Sequence, residues 1–265
     1  MEIKKLEILH YPVLSGFSEL LHFCTTRHGG VSSGNYGTFN ISPFSGDNTE
    51  KQQVNLSILA TKLQITPQQI IFPYQTHSDC VKIINSDFLQ MSDLDKKNYL
   101  DSVDAIITNL PQICIGVTTA DCVPVLIFDK LNKVVATVHA GWRGTCSRIV
   151  EKTIQQMINT FGTHPNNIFA SIGVSISPEV YNVGDELIQE FEKSNFPITE
   201  IFSCRENQQF LDLWKANKWL LMQFGIPENQ IEIAGKCSFT NANEFFSARK
   251  LGIKSGRMLS GIMLK

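Results

Sequence analysis

The stretch TTADCVPVLIFDKLNKVVATVHAGWRGT, residues 118–145, decides the fold expected of this chain. Residues 123–129 and 134–140 are rich in β-branched and apolar side chains, the composition of buried strands. The segment DKLNK that joins them has the length of a hairpin loop. Because the start of one antiparallel strand faces the end of the next, we expect Cys122 and His139 to lie close together.

Elsewhere the sequence alternates between strand and helix patterns. Further strands are predicted at 104–109, 113–119, 167–174, 231–235 and 255–265, with a short strand that ends at His77. Helices are predicted at 51–63, 184–193 and 211–224, and after Thr145 as far as Phe161, where Gly162 can cap the end. Residues 25–48 have the composition of a long loop, and the polar residues 88–101 are expected to form an exposed excursion. Strands and helices intermix without a strict βαβ rhythm, so we predict an α+β fold with a mixed sheet and flanking helices, in one domain over residues 1–265.

Composition excludes several classes of protein. The net charge of −2 gives no electrostatic footprint for nucleic acid or an anionic membrane. The first sixteen residues lack the apolar core of a signal peptide, and no run has the length and apolar character of a membrane span. The seven cysteines are scattered and odd in number, which is typical of reduced thiols. We therefore expect a cytoplasmic protein without nucleic-acid or membrane partners.

Three residues could hold a metal ion. Catalytic zinc takes three protein ligands from His, Cys and carboxylate and leaves a fourth position open. Cys122 and His139 qualify, and His77 in YQTHSDC is the third candidate. Their separations of 45 and 17 residues match no zinc-finger spacing. Spacing alone therefore leaves open that the cysteine is a buried core residue and that each histidine is a neutral, hydrogen-bonded side chain.

Three charged residues are candidates for substrate contact. In HAGWRGT, a helix that begins near Thr145 would present free N–H groups, and Arg143 would add a guanidinium suited to phosphate. Arg27, in the loop TTRHGG, offers a second anion contact, and Asp121 could orient a ligand or act as an acid/base. The alternatives are a turn with an exposed Arg143, a solvated Arg27 and a simple turn residue at Asp121.

Several motifs occur in one order along the chain: TTRHGGVS, QTHSD, DAIIT, TTADCVPVLIFD, VHAGWRGT, DLWKANKWLL, FFSARK and SGRM. In these motifs the chain resembles the polyphenol-oxidase/laccase-domain family, whose members are described as purine nucleoside phosphorylases. The resemblance implies a zinc site, with copper as the alternative ion, at His77, Cys122 and His139. It also implies a sandwich fold like that of the cytotoxic necrotizing factors, which are Cys–His hydrolases. The segment SIGVSISPEVYNVG (171–184) lacks the cysteine pair usual in the family, so roles of those thiols do not carry over.

The family implies phosphorolysis of adenosine, inosine, guanosine and methylthioadenosine, with deamination of adenosine as a second activity. We predict catalytic roles for Cys122, His139, Asp121 and Arg143, and binding of nucleoside and phosphate by Arg27 and Arg143. Asp121 would take the acid/base role that a Glu has in nucleobase deaminases. A homodimer is a further expectation.

Three other functions compete with this prediction. A Cys–His hydrolase or deamidase would use Cys122 as nucleophile and His139 as base, which excludes their use as metal ligands. A copper-dependent polyphenol oxidase could use the His₂Cys site, but a four-copper laccase centre needs more than the six histidines present. A structural zinc protein would need a fourth protein ligand.

Overall fold

The chain folds into strands of two to seven residues, and two of the candidate ligands, Cys122 and His139, lie next to strand ends. The computed structural model describes residues 5–265, so the first four residues of the predicted domain and of the N-terminal segment lie outside it. The strands of these residues are β1 (Ile8–Leu9), β2 (Leu20–Thr25), β3 (Ile70–Ile71), β4 (Val81–Ile83), β5 (Ala105–Thr108), β6 (Cys114–Thr119), β7 (Val123–Asp129), β8 (Val134–Ala140), β9 (Ile168–Ile172), β10 (Asn182–Val183), β11 (Phe202–Arg205), β12 (Gln208–Leu211), β13 (Ile231–Ile233) and β14 (Met258–Leu264).

Helices of four to fifteen residues connect and cover these strands. They are α1 (Pro12–Ser15), α2 (Thr49–Leu63), α3 (Ser86–Gln90), α4 (Asp93–Tyr99), α5 (Trp142–Cys146), α6 (Ile149–Phe161), α7 (Asp185–Lys193), α8 (Ile198–Ile201), α9 (Leu213–Gln223) and α10 (Ala248–Leu251). None of the helices in residues 5–265 combines the length and the apolar character that crossing a bilayer requires.

The strands form two large mixed sheets and one small antiparallel sheet. The order in the six-stranded sheet is β13-β9-β7-β8-β5-β4, in which β13 runs parallel to β9 and β4 parallel to β5. The order in the five-stranded sheet is β1-β2-β14-β6-β3, and the small sheet is β10-β12-β11. The predicted hairpin is confirmed, because β7 and β8 have the predicted bounds and pair in antiparallel register.

The two large sheets face each other across a shared core. Leu126 and Phe128 on β7 belong to the same buried cluster as Ile115 on β6 and Ile262 on β14. The intervening side chains of β7, such as Ile127, point to the opposite face and pack with α6 and α9. Burial on both faces explains why β7 is a nearly continuous apolar run. The mixed α+β architecture with flanking helices is therefore confirmed.

The predicted helix after Thr145 is two helices. Helix α5 ends at Cys146, and Arg148 then adopts a left-handed conformation with φ of 60° before α6 begins at Ile149. Helix α6 buries Ile149, Val150, Thr153, Ile154 and Met157, the spacing of an amphipathic helix. It ends at Gly162, as predicted, with φ of 67° and its N–H bonded to the Ile158 carbonyl.

One local expectation is wrong, and two segments contain elements that the sequence analysis did not predict. The strand expected to end at His77 is β3, which ends at Ile71, and the following residues run as a loop. The predicted polar excursion 88–101 is exposed or half-buried apart from Phe88, and it includes the end of α3 and all of α4. Asn85 and Ser92 cap these helices with their side chains. The hairpin of β11 and β12 has no counterpart among the predicted strands, because its residues are mostly exposed and lack a buried apolar run.

Candidate metal centre

The structure brings His77, Cys122 and His139 into one group. One ligand atom from each lies within 4.8 Å of the others, and Cys122 Sγ is 3.7 Å from His77 Nε2. The register of β7 and β8 positions two of them, since Pro124 pairs with His139 and Cys122 immediately precedes β7. His77 is exposed, Cys122 is half-buried and His139 is buried. The group thus faces solvent on one side.

Asp104, which the sequence analysis did not single out, holds two of these residues in place. It is fully buried before β5, and its Oδ1 lies 2.7 Å from His139 Nδ1. The backbone N–H groups of Thr76, His77 and Ser78 donate to the same carboxylate. The bond to Nδ1 directs the other ring nitrogen of His139 toward Cys122 and His77, which is the arrangement of a carboxylate–histidine–metal triad.

Charge interactions within the group are strong. Burial by itself would raise the pKa of Cys122, but the charge of His139 and the proximity of His77 outweigh it and lower that pKa to about 6. Burial would lower the pKa of His139, but Cys122 and Asp104 raise it to about 9. Each partner thus favours the charged form of the other, a thiolate beside an imidazolium.

Gly141 makes room for the ligand atoms. A Cβ at this position would lie 3.0 Å from Cys122 Sγ and 3.2 Å from His77 Cδ2. Its φ of −66° is open to any residue, so close packing rather than backbone conformation favours glycine here.

The donor set fits a transition-metal ion. Two imidazoles and a thiolate are ligands that zinc and copper both accept. Ligands of a tetrahedral zinc stand about 3.5 Å apart when the bonds have their usual lengths, close to the 3.7 Å between Cys122 Sγ and His77 Nε2. Among residues 5–265, this is the one group of three or more His, Cys, Asp or Glu side chains close enough to share an ion.

Asp121 is committed to other partners. Its φ is 91°, and its two carboxylate oxygens accept hydrogen bonds from Ser238 Oγ and from the Arg249 backbone N–H, both at 2.7 Å. It links the start of β7 to the segment around α10. The carboxylate that orients His139 is thus Asp104, and the role expected of Asp121 stays a prediction.

The predicted arginines occupy different settings. Arg143 is exposed in the first turn of α5, which begins at Trp142 rather than near Thr145, and its guanidinium lies 4.3 Å from the Trp142 ring centroid. Arg27 donates to the carbonyls of Gly37 and Ala242 and lies over the Phe246 ring. Arg27 therefore joins the 25–48 loop to the segment before α10.

Two further arginines and a tyrosine lie near the group. Burial raises the pKa of Tyr181 to about 12, and this hydroxyl lies within electrostatic range of Cys122, Arg249 and Arg143. Burial lowers the pKa of Arg257, which the negative charge of Cys122 opposes. Arg249 and Arg257 stand in the motifs FFSARK and SGRM, but nothing local in the sequence assigns them a role.

Four arginines of the family-like motifs lack a close carboxylate partner within residues 5–265. Among the described residues, no carboxylate lies within ion-pair distance of Arg27, Arg143, Arg249 or Arg257. The chain as a whole carries a net charge of −2. A guanidinium group without a carboxylate partner is available to bind an anionic ligand.

The fold and this group define a mixed-sheet α+β protein with a solvent-facing His–Cys–His centre. The profile of the multi-copper polyphenol oxidoreductase laccase family matches residues 21–265, and the chain belongs to that family.

Similar proteins carry names of nucleoside enzymes. The chain is 43% identical to a purine nucleoside phosphorylase of Bacteroides thetaiotaomicron over 98% of its length and 97% of the relative's. It is 36% identical to adenosine deaminase RL5 from an unknown prokaryotic organism, over 92% of this chain and 93% of that protein. The crystal structure of YlmD from Geobacillus stearothermophilus is similar, with a TM-score of 0.90, 25% identity and coverage of 100% of this chain and 98% of that one. These names indicate that the chain is an enzyme.

Proposed function

We propose that this chain is a metal-dependent purine nucleoside enzyme. It would cleave adenosine, inosine, guanosine and methylthioadenosine by phosphorolysis and would also deaminate adenosine. The observation that carries the proposal is the His77–Cys122–His139 group with one side facing solvent, in a chain that is 43% identical to a purine nucleoside phosphorylase.

Zn²⁺ is the proposed ion, with Cu²⁺ as the alternative, and His77, Cys122 and His139 would hold it. When bound, the ion would supply Lewis-acid activation of a water for deamination. The remaining chemistry belongs to the chain. Asp104 keeps the proton on Nδ1 of His139, so that Nε2 is the nitrogen free to bind.

The arginines would bind phosphate. Arg143 is exposed beside Gly141, so its guanidinium can turn toward an oxyanion next to the metal group. Arg27 uses Nε and one terminal nitrogen on backbone carbonyls, and its other terminal nitrogen has no partner among residues 5–265. Fixed donors of this kind stabilise charge that develops on transferred phosphate and on the leaving group.

Asp121 is the proposed proton carrier in deamination. It lies next to Cys122 and is mostly buried. Its bonds to Ser238 and Arg249 would hold it in one orientation. An Asp121→Asn variant should lose deaminase activity, and retention of full activity would remove this role.

A Cys–His hydrolase is the second candidate, and one observation favours it. The metal-free pair of Cys122 and His139 has the lowered thiol pKa and raised imidazole pKa of an activated nucleophile. Metal content separates the two functions, because ligands to an ion cannot serve as nucleophile and base. A multi-copper oxidase is disfavoured by the single three-ligand group in the described residues.

The cytoplasmic location, the homodimer, the single domain and the likeness to the necrotizing-factor fold remain predictions. So do the absence of nucleic-acid and membrane partners and the individual nucleosides.

The deciding experiment measures metal content and turnover together. The purified protein is analysed for zinc and copper and then incubated with adenosine, with and without phosphate. We expect one zinc per chain, adenine with ribose 1-phosphate only when phosphate is present, and inosine in either case. All activity should be lost in Cys122→Ala and kept in Cys204→Ala, which removes an exposed thiol on β11. A metal-free protein that neither cleaves nor deaminates adenosine, and that is alkylated at Cys122, would instead support the hydrolase.

A further inference from the structure

A cavity of about 460 Å³ opens on the surface beside the segment that carries His77. Its walls combine apolar and polar groups. The apolar ones include Phe44, Tyr74 and Leu100, and the polar ones are Lys97, Asn98 and Asp101. The cavity therefore offers flat apolar faces with hydrogen-bonding groups at their edges.

Phe44 and Tyr74 form an exposed aromatic pair. Their ring centroids are 4.6 Å apart with an interplanar angle of 60°, and their exposed fractions are 49% and 42%. Aromatic side chains contribute most to the free energy of binding when a partner buries them. Two adjacent rings that remain exposed to solvent therefore indicate a surface on which a ligand binds.

Tyr74 lies on the segment that leads to the metal group. It is three residues before His77, a separation of at most roughly 10 Å along the chain. Its N–H donates to the Leu100 carbonyl, and its carbonyl accepts from Val103, the residue before Asp104. Residues 100–104 thus hold the backbone of Tyr74 and also carry Asp104, whose carboxylate binds the backbone of His77.

Phe44 lies on a loop that is hydrogen-bonded to the backbone of Arg257. Asn40 Oδ1 accepts a hydrogen bond from the Arg257 backbone N–H at 3.0 Å. The Tyr36 hydroxyl donates to the carbonyl of Ser45, the residue after Phe44, at 3.1 Å. The aromatic pair therefore joins two segments, one leading to the metal group and the other to a cationic group near it.

We propose that Phe44 and Tyr74 form the platform on which the purine base of the substrate stacks. This inference rests on the proposed function and names the part of the chain that selects the base. The π-face of any purine can stack on an aromatic side chain. At its edge, Asp101 would accept from ring or amino N–H groups, and Lys97 and Asn98 would donate to ring nitrogen or carbonyl oxygen. For phosphorolysis, the reaction assayed below, the ribose would extend along residues 74–77 toward the metal group. Deamination takes place at C6, so it would need the base turned end for end on the same aromatic faces, which stack with a purine in either orientation.

The experiment compares variants that remove the aromatic rings but keep apolar bulk. Phe44→Leu and Tyr74→Leu are assayed for adenosine phosphorolysis, beside Tyr74→Phe, which keeps the ring. Leu94→Ala, which trims an exposed residue of α4 outside the cavity walls, is the control. We expect each Leu variant to raise KM by about tenfold with kcat changed much less. Tyr74→Phe should recover most of the KM lost in Tyr74→Leu, and Leu94→Ala should match the parent.

Equilibrium binding separates failure of this inference from failure of the proposed function. Adenosine is titrated calorimetrically into Cys122→Ala protein, which should not turn it over, with and without Tyr74→Leu. Binding that weakens about tenfold with Tyr74→Leu supports the platform even if the parent protein proves inactive. Unchanged KM and unchanged binding in both Leu variants, or no adenosine binding to Cys122→Ala, would overturn it.

Discussion

Asp104 shows how one buried residue organises a site whose members are distant in sequence. Its side chain bonds the ring of His139 and the backbone of His77, residues that come from a strand and from a loop. Its carboxylate also accepts a hydrogen bond from the Ser78 hydroxyl at 2.7 Å, so both oxygens accept several hydrogen bonds. The relative position of the two imidazoles therefore depends on this carboxylate.

Asp104→Asn should weaken metal binding while the protein still folds. The amide is nearly isosteric, but it accepts at only one atom and places an N–H₂ against donors. Loss of such an outer partner typically costs 10–100-fold in metal affinity. Chelator competition measures this, with Asp93→Asn, an exposed residue of α4, as the control. Unchanged metal affinity would mean that Asp104 serves stability alone.

The Cys122 thiol should be reactive at unusually low pH in metal-free protein. Because its pKa is lowered to about 6, the thiolate fraction rises as pH increases through that value. The rate of alkylation should follow this titration, as measured by mass spectrometry of the labelled peptide. Burial raises the pKa of Cys114 to about 12, so that thiol should stay unlabelled as an internal control. His139→Gln should move the Cys122 midpoint upward by at least one pH unit, toward an ordinary thiol.

At the scale of elements, the hairpin of β7 and β8 was predictable because its signal is local. Two buried β-branched runs and a short polar loop fix both the strands and the register, and the register places Cys122 near His139. Helix α6 was predictable for the same reason. Helices α3 and α4 were not, since their stability depends on side-chain caps and their faces are polar. Asp104 precedes a strand with no local pattern, so only the tertiary structure reveals its partners.

His22 connects β2 to the start of α1 and should make the fold sensitive to acid. Its Nε2 accepts the Tyr11 N–H at 2.8 Å, and burial together with the charge of His10 lowers its pKa from 6.5 to about 4. His22 therefore binds a proton more readily in the unfolded chain than in the folded protein. The free energy of unfolding should decrease as pH falls below 6.5. The loss should reach about 3 kcal/mol at pH 4.

Urea unfolding at pH 7 and pH 4 tests this expectation. His22→Gln, whose amide can still accept the Tyr11 N–H, should show a loss between these pH values that is smaller by about 3 kcal/mol. His164→Gln removes an exposed histidine and should match the parent. An equal pH dependence in all three proteins would contradict a titrating role for His22.

At the scale of the whole molecule, two mixed sheets enclose a core that no single segment of sequence defines. Leu126 and Phe128 of β7 pack with Ile115, on the strand just before β7, and with Ile262, close to the C-terminus. The apolar pattern identifies these strands as buried, but it does not say which sheet a strand joins. Sheet membership follows from pairings such as β2 with β14, which link opposite ends of the described chain.

Phe128→Ala should destabilise the fold through this core. The ring is fully buried and lies 5.1 Å from the Phe17 ring, so its removal leaves a cavity between the sheets. We expect a loss of about 3–5 kcal/mol in the free energy of unfolding, measured by urea denaturation. Leu131→Ala, in the exposed hairpin loop, should change it by less than about 0.5 kcal/mol. Comparable losses in the free energy of unfolding of both variants would contradict a role for Phe128 in the stabilising core.

Strand β14 lies between β2 and β6 in the five-stranded sheet, although about 230 residues separate β2 from β14. During synthesis, β2 leaves the ribosome long before its partner exists. A nascent chain that has not released residues 258–264 leaves β2 and β6 with unpaired edges, which are templates for association with other chains. Arg257 also reaches its place only with this strand. Assembly of the five-stranded sheet and placement of Arg257 are therefore late events, and folding should be slow and dependent on protection of the emerging chain.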